Sequence, residues 1–412
     1  MKCVIDNQVV LSRAPEGPLA RYIGSFAESV CKQGYALDSI HRQVLLAACF
    51  SRWLKQNGVA VRGICPDHPV GYLRYRARHV RPCRGDAAAL RHLIEFLRGK
   101  GVISAEKISA RRVTSAERYA QAYEQYLREA RALAGATIVN YVPFIRDFLE
   151  DRFGHGRVRL PRLCAGDVVR FVQRQASRLH LRRAKLMTSA LRSFLHYARY
   201  LGEVTLDLAA AVTIVANWSI TSIPRAISSD HVRQLLASID RRTAIGRRDY
   251  AVLLLLARLG LRASEVAFLE IDDIDWNTGR LYVRSKGAQP LELPLPTEVG
   301  KAIAAYLRRG RPYSTSRRVF LRAKAPIRGF RGPGGIGSIV RHSLKRAGIH
   351  APTTGAHQFR HGLASEMLHQ GASLGEIGEL LGHRHPQTTK IYIKVDLKAL
   401  RTLALPWPGG GR

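Results

Sequence analysis

His357-Gln358-Phe359-Arg360-His361 opens a stretch that runs through Leu380-Leu381-Gly382-His383 and ends at Thr388-Thr389-Lys390-Ile391-Tyr392. Gln358 to Gln370 and Ser373 to Leu381 read as helices, and a further helix starts at Thr388. His357 and Arg360 then share one helical turn. Upstream, Gly260-Leu261-Arg262-Ala263-Ser264-Glu265 sets Arg262 just after an apolar helix, Gly246 to Gly260. Lys286 sits at the tip joining two short strands, Leu281 to Ser285 and Leu291 to Leu295, the second ended by Pro294 and Pro296. Taken singly, these polar residues are ordinary. A lone Arg in a core is usually an ion-pair partner, here of Glu265, and a lone Tyr usually packs. His357-x-x-x-His361 has a metal-binding spacing but no accompanying carboxylate, so no metal is expected there.

Taken together, their order is informative. Arg262, Lys286, His357-x-x-Arg360, Leu381-Gly382-His383 and Tyr392 make this segment resemble the tyrosine recombinase (phage integrase) family. The likeness covers residues 110 to 400 or so and is most specific from Arg262 to Tyr392. The intervals of nine residues from His383 to Tyr392 and 35 from His357 to Tyr392 fit the family, and no catalytic position is replaced. The resemblance implies that Tyr392 is the nucleophile and that Arg262 and Arg360 clamp the scissile phosphate. Lys286, His357 and His383 complete the site. It also implies a helical core-binding domain and a mixed catalytic domain that close as a C-shaped clamp on double-stranded DNA at specific recombination sites. Members of the family work as homo-tetramers in the synaptic complex and pass a C-terminal helix to a neighbour. Lys394 to Leu405, with Val395, Leu397, Leu400, Leu403 and Leu405, is amphipathic enough for that role.

These residue types suit the chemistry. A phosphodiester under attack gains charge on its non-bridging oxygens, and two guanidiniums offer aligned donors to them. A phenol ionises near pH ~10, so it needs a base or a cationic setting to act at neutral pH. His357 is the candidate base. The departing 5′ oxygen needs an acid, which Lys286 on its hairpin tip can supply. His383 is placed to hydrogen-bond the phosphate. The 3′-phosphotyrosine product conserves the bond energy, so the reaction calls for neither ATP nor a metal, and no cofactor is expected. Glu265 is expected to orient Arg262 or His357. His361 is read as packing, with support of the site as the alternative.

The remainder of the chain fits a nucleic-acid enzyme. Its 412 residues suggest about two or three domains. Lys and Arg number 66 against 31 Asp and Glu, a net charge of +35, and 13 of the 66 are Lys. Such an excess of Arg forks points to a polyanion. No apolar run approaches the ~20 residues needed to cross a bilayer, and no signal peptide opens the chain. The six cysteines form no C-x-x-C pair and are expected to be reduced thiols in the cytoplasm, and the resemblance implies a bacterial, nucleoid-associated protein.

The expected fold is mainly α with a small β-sheet (α+β). Residues 1–110 form an extra helical module, for DNA binding or interaction, with Asp38 as a helix N-cap and a basic loop from Arg74 to Arg84. Residues 111–220 form the core-binding domain, and 221–412 the catalytic domain and tail. Ala89-Leu90-Arg91 and Ala190-Leu191-Arg192 hint that the first module duplicates the second. A Gly-rich loop, Gly329 to Gly337, lacks the Gly-Lys-Ser/Thr of a phosphate cradle. Integration, excision or transposition of a mobile element is the expected task. A DNA-relaxing enzyme like the type IB topoisomerases, or an inactive regulator on the same fold, are the alternatives.

Overall fold

A computed structural model describes residues 14–103, 114–154, 156–213, 226–284, 291–383, 386–389 and 391–392, with two short strands near the N-terminus. Lys286 and the Lys394 to Leu405 tail lie outside the described residues. The chain divides into two compact units, one made of 1–105 with 223–412 and the other of 106–222. The fold is mostly helical, with a small three-stranded sheet.

Strands β1 (Cys3–Ile5) and β2 (Val9–Leu11) pair antiparallel. Helices α1 (Ile23–Lys32), α2 (Leu37–Gln56), α3 (Asp67–Ala77) and α4 (Asp86–Gly99) then surround a core of their own, centred on Phe26, Val44, Phe50, Leu54, Leu93 and Leu97. Asp38 does not cap α2. The cap position is Ala36, without a side-chain bond, and Asp38 lies in the first turn, where its charge suits the helix dipole. The stretch from Arg74 is not all loop either. Arg74 and Arg76 belong to α3, and Arg76 Nη1 reaches Asp86 Oδ2 at 3.1 Å.

This module meets the later part of its unit through a narrow seam. Ile327 N–H donates to the Gln33 carbonyl at 2.9 Å. Beside it, Gly34 has φ +77°, and a Cβ there would come within 2.6 Å of Ile327 Cγ1. Glycine is required at this turn twice over, by its dihedral and by the contact.

The second unit holds α5 (Ser115–Glu129), α6 (Gly135–Phe153), α7 (Ala165–Ala176) and α8 (Leu181–Tyr200). Thr114 and Glu117 form a reciprocal cap at the start of α5. The core includes Tyr123, Ile145, Phe148, Phe171, Leu191 and Phe194, with Phe148 and Phe171 meeting edge to face.

From Ser228 onward the first unit continues. The Ser228 hydroxyl accepts from His231 N–H, as its sequence suggests, and starts α9 (Ser229–Ala237). Helix α10 (Ala244–Arg258) is the axis of this part, and all six residues from Ala251 to Leu256 are fully buried. Burying each such Leu is worth about 2 kcal/mol, so the element is fixed from every side. Asp249 on α10 is also buried. It accepts from Arg248 at 2.7 Å and from Arg346 at 3.2 Å, and Arg248 Nη1 bonds the Leu321 carbonyl. A short helix, α11 (Ala263–Phe268), follows.

The sheet has the antiparallel order β3 (Ile274–Asp275), β4 (Arg280–Val283) and β5 (Leu291–Pro294). The hairpin β4–β5 was legible in the sequence, whereas β3 is two residues long and carries no periodicity to read. Helix α12 (Thr297–Arg309) follows. The Gly-rich stretch is a loop only in part. Pro333 opens helix α13 (Pro333–Arg346), so Gly334, Gly335 and Gly337 are helical. Proline suits a first helical position, where its missing N–H has no partner to lose. Helices α14 (His357–His369), α15 (Leu374–Leu380) and α16 (Pro386–Thr389) complete the described chain. The five cysteines with described side chains are all free thiols.

Candidate active site

Arg262 follows α10 through a tight corner. Gly260 there has φ +59°, and a Cβ would lie 2.7 Å from Leu381 Cδ2 and 3.1 Å from Leu363 Cδ2. The missing side chain lets the corner press against α14 and α15. Arg262 stands at the start of α11, where its backbone N–H donates to Glu265 Oε2 at 2.7 Å. Its guanidinium Nη1 donates to Glu265 Oε1, also at 2.7 Å. Glu265 is buried, so the pair locks the Arg262 side chain from both ends.

Arg360 lies on α14, opposite that corner, and is only 3% exposed. Its Nη1 donates to the Gly260 carbonyl at 2.9 Å and its Nη2 to the Leu381 carbonyl. Both acceptors are neutral. Burial therefore pulls its pKa down to about 10, helped by the charge of Arg262 and opposed by Glu265 and Tyr392. It remains charged at neutral pH. Arg262 Nη2 approaches the Gly382 carbonyl at 3.5 Å, so both guanidiniums are anchored on the Leu381-Gly382 segment.

His383 follows directly. Its Nδ1 pairs with Thr389 Oγ1 at 2.8 Å, and its ring lies parallel to that of Tyr392, 6.4 Å away. Tyr392 is fully buried against Ala364, Ile377 and Leu381. Its hydroxyl lies 3.1 Å from His361 Nδ1. His357, one turn earlier, meets the His361 ring edge to face at 5.0 Å. Thus Arg262, Arg360, His357, His383 and Tyr392 come together from four segments, with Glu265 and His361 among them. Sequence reading had favoured packing for His361. The structure instead puts it in contact with the Tyr392 hydroxyl, over a separation of 31 residues that helical periodicity cannot report.

Burial and the two guanidiniums together set the electrostatics of the cluster. Burial raises the Tyr392 phenol above its usual range, and Arg360 and Arg262 pull it back. Burial lowers His361 to about 4, with further lowering from His357 and Arg360. His383 falls to about 4 as well, first through burial and then through Arg360, Arg262 and the two neighbouring imidazoles. Both imidazoles are therefore neutral at pH 7.

A stability prediction follows from their sign. A lowered folded-state pKa means that the unfolded chain binds more protons between about pH 4 and 6.5. Stability should be full above 6.5 and fall as the pH drops through that window. Each group contributes a slope of at most ~1.4 kcal/mol per pH unit, less for rings partly open to water. Thermal midpoints recorded from pH 7 to 4.5 should fall less steeply in His361→Gln than in the parent. Identical slopes would show that His361 is solvated.

Among the described residues no group of three or more His, Cys, Asp or Glu is arranged to hold a metal ion, and no helix is long and apolar enough to cross a membrane.

This fold agrees with what comparison to known proteins finds. Residues 225–398 match the phage integrase family, and 120–200 match the SAM-like N-terminal domain of phage integrases. The chain is 61% identical over 409 residues to a protein of Sinorhizobium fredii described as an integrase/recombinase, y4rA, spanning 99% of both chains. It is 33% identical over 217 residues to the tyrosine recombinase XerD of Listeria innocua, covering 52% of this chain and 71% of that one. Its fold resembles the crystal structure of the XerH site-specific recombinase bound to palindromic difH substrate, a post-cleavage complex, with TM-score 0.56 at 19% identity, over 76% of this chain and 94% of that one. The chain belongs to the phage integrase family of tyrosine recombinases. It is a site-specific recombinase, and the relaxing-enzyme alternative is not favoured.

Proposed function

We propose that Tyr392 attacks a scissile phosphate in double-stranded DNA and forms a 3′-phosphotyrosine, with Arg262 and Arg360 holding the non-bridging oxygens. One observation supports this reading: a buried tyrosine whose phenol feels the charge of two anchored guanidiniums, one of which bonds neutral carbonyls among the described residues. A phosphate is the anion such a pair would accept. His383 would bond the same phosphate, and His357, the base expected from the sequence, lies against the His361 ring. Lys286 would protonate the departing 5′ oxygen, and a second strand's 5′ hydroxyl would reverse the step. Glu265 fixes Arg262.

The Lys394 to Leu405 tail would link copies of the chain into a tetramer holding two recombination sites. Residues 1–110 would add DNA contacts outside the core, through Arg74, Arg78, Arg81 and Arg84, which are all exposed alongside Tyr75. In the second unit, Arg118, Arg157, Arg159 and Arg162 line a cleft of about 790 Å³ that suits the same polyanion. The biological task would be integration, excision or transposition of a mobile element, carried out on bacterial DNA in the cytoplasm.

The test uses nicked duplexes taken from the DNA that flanks the gene. A nick close to the cleavage point lets the short fragment bearing the freed 5′ hydroxyl diffuse away and traps the covalent protein. A detergent-stable adduct on these duplexes, absent on shuffled sequence, is expected. Relaxation of plasmid lacking such sites, without adduct preference, would favour a topoisomerase instead. Binding should also weaken steeply with salt, by close to 0.9 in log affinity per log unit of salt for each phosphate neutralised. A flat salt response would count against the DNA reading.

A further inference from the structure

On the reading above, we propose that His361 is the residue that takes the phenolic proton of Tyr392 as the phosphate is attacked. The argument begins with contact. His361 Nδ1 is 3.1 Å from the Tyr392 hydroxyl, within proton-transfer reach, and the two rings meet edge to face at 5.7 Å. His357 touches the His361 ring. Residues 357 and 361 are one turn apart on α14, which puts both imidazoles on the face that meets Tyr392.

Among the described residues, the groups facing His361 are His357 and Arg360 on its own helix, Tyr392, and His383 from beyond α15. Arg360 is a permanent cation. Together with burial, it keeps the His361 ring neutral and able to accept a proton. With its ring hydrogen on Nε2, Nδ1 receives the phenol hydrogen bond. With no anion at the guanidiniums transfer is uphill, because the phenol is raised and the imidazole is lowered. A phosphodiester between Arg262 and Arg360 changes both. Its negative charge offsets the guanidiniums and stabilises an imidazolium, while bonding to phosphorus acidifies the phenol. The arrangement keeps the nucleophile protonated until a phosphate arrives.

The step balances as follows. The Tyr392 O–H bond breaks and an N–H bond forms at His361 Nδ1. The phenolic oxygen bonds phosphorus, and the P–O5′ bond breaks. The 5′ oxygen leaves with a proton from Lys286, and rejoining returns every atom.

Two measurements test this on the full chain. The first needs no DNA: 3-fluorotyrosine is placed at position 392 and its fluorine resonance is followed against pH. Because His383 also protonates near pH 4 beside Tyr392, the titration is run in a His383→Gln background: a step near pH 4 is expected there and with His357→Gln added, and should vanish with His361→Gln added. A step lost in His357→Gln and kept in His361→Gln would overturn the proposal. The second is adduct formation on the nicked flanking duplexes. His361→Gln should slow it on the order of 10²- to 10³-fold, the usual share of a general base. The more acidic fluorotyrosine should recover at least about tenfold of that loss, since a weaker base suffices for it. A purely positioning role would give no such recovery, and a parent-like rate in His361→Gln would also overturn the proposal. If the parent itself forms no adduct, the covalent reading of the site fails, while the fluorine titration still decides the His361 contact.

Discussion

Tyr392→Phe should bind DNA with parent affinity and form no covalent adduct, a loss on the order of 10⁴-fold or more. The substitution removes one oxygen and keeps the ring. Its packing against Ala364, Ile377 and Leu381 survives, as does its parallel placement beside His383. What is lost inside the fold is the hydrogen bond to His361, worth about 1 kcal/mol. The variant should therefore unfold within a few degrees of the parent. Adduct that persists in Tyr392→Phe on the correct duplex would sink the assigned nucleophile. The resulting protein is also the right tool for measuring the salt dependence of binding, because cleavage cannot intrude.

Arg360 carries the second large effect, and here stability and chemistry must be separated. Arg360→Ala removes a buried cation and strands the carbonyls of Gly260 and Leu381. Each unsatisfied buried acceptor costs about 1–3 kcal/mol, and the emptied space adds to it. Cleavage should fall by about 10³-fold or more with the loss of a donor aimed at the phosphate. Arg360→Lys is the more informative change. It keeps the charge but cannot bond both carbonyls and a phosphate at once. A folded Arg360→Lys with little adduct would assign Arg360 to phosphate binding. Parent-like cleavage in that variant would make its role structural.

Arg262 behaves differently, because its partner is a carboxylate. Arg262→Ala leaves Glu265 buried without its cation, and adding Glu265→Gln should restore part of the stability but none of the cleavage.

Much of this was legible from residues alone. The order and intervals from Arg262 to Tyr392 pointed to the chemistry because each residue type suits one role at a phosphate. Helix α10 was readable to within two residues, as its apolar run from Ala251 to Leu256 leaves little freedom. Other features were hidden for physical reasons. The helix at Pro333 begins within glycines, whose low helical propensity masks a start that packing on α10 and α11 enforces. The narrow seam at Gly34 and the contact from His361 to Tyr392 join residues far apart in sequence. Pattern reading assigns residues to faces, but it does not say which faces meet.

The seam between Gln33 and Ile327 also bears on how the chain is made. Its two sides are separated by 294 residues, and the whole of the second unit is synthesised between them. At ~5–20 residues per second, the first side waits on the order of tens of seconds on the ribosome before the second emerges. The N-terminal module must therefore fold on its own core, built on Phe26, Phe50 and Leu97, and the seam closes last. Loop-closure cost rises only logarithmically with length, so this late joining is slow in order rather than costly in free energy. A ribosome-bound chain halted after residue 222 should already protect the first module from protease, while the Ile327 contact can form only in chains long enough to expose residue 327.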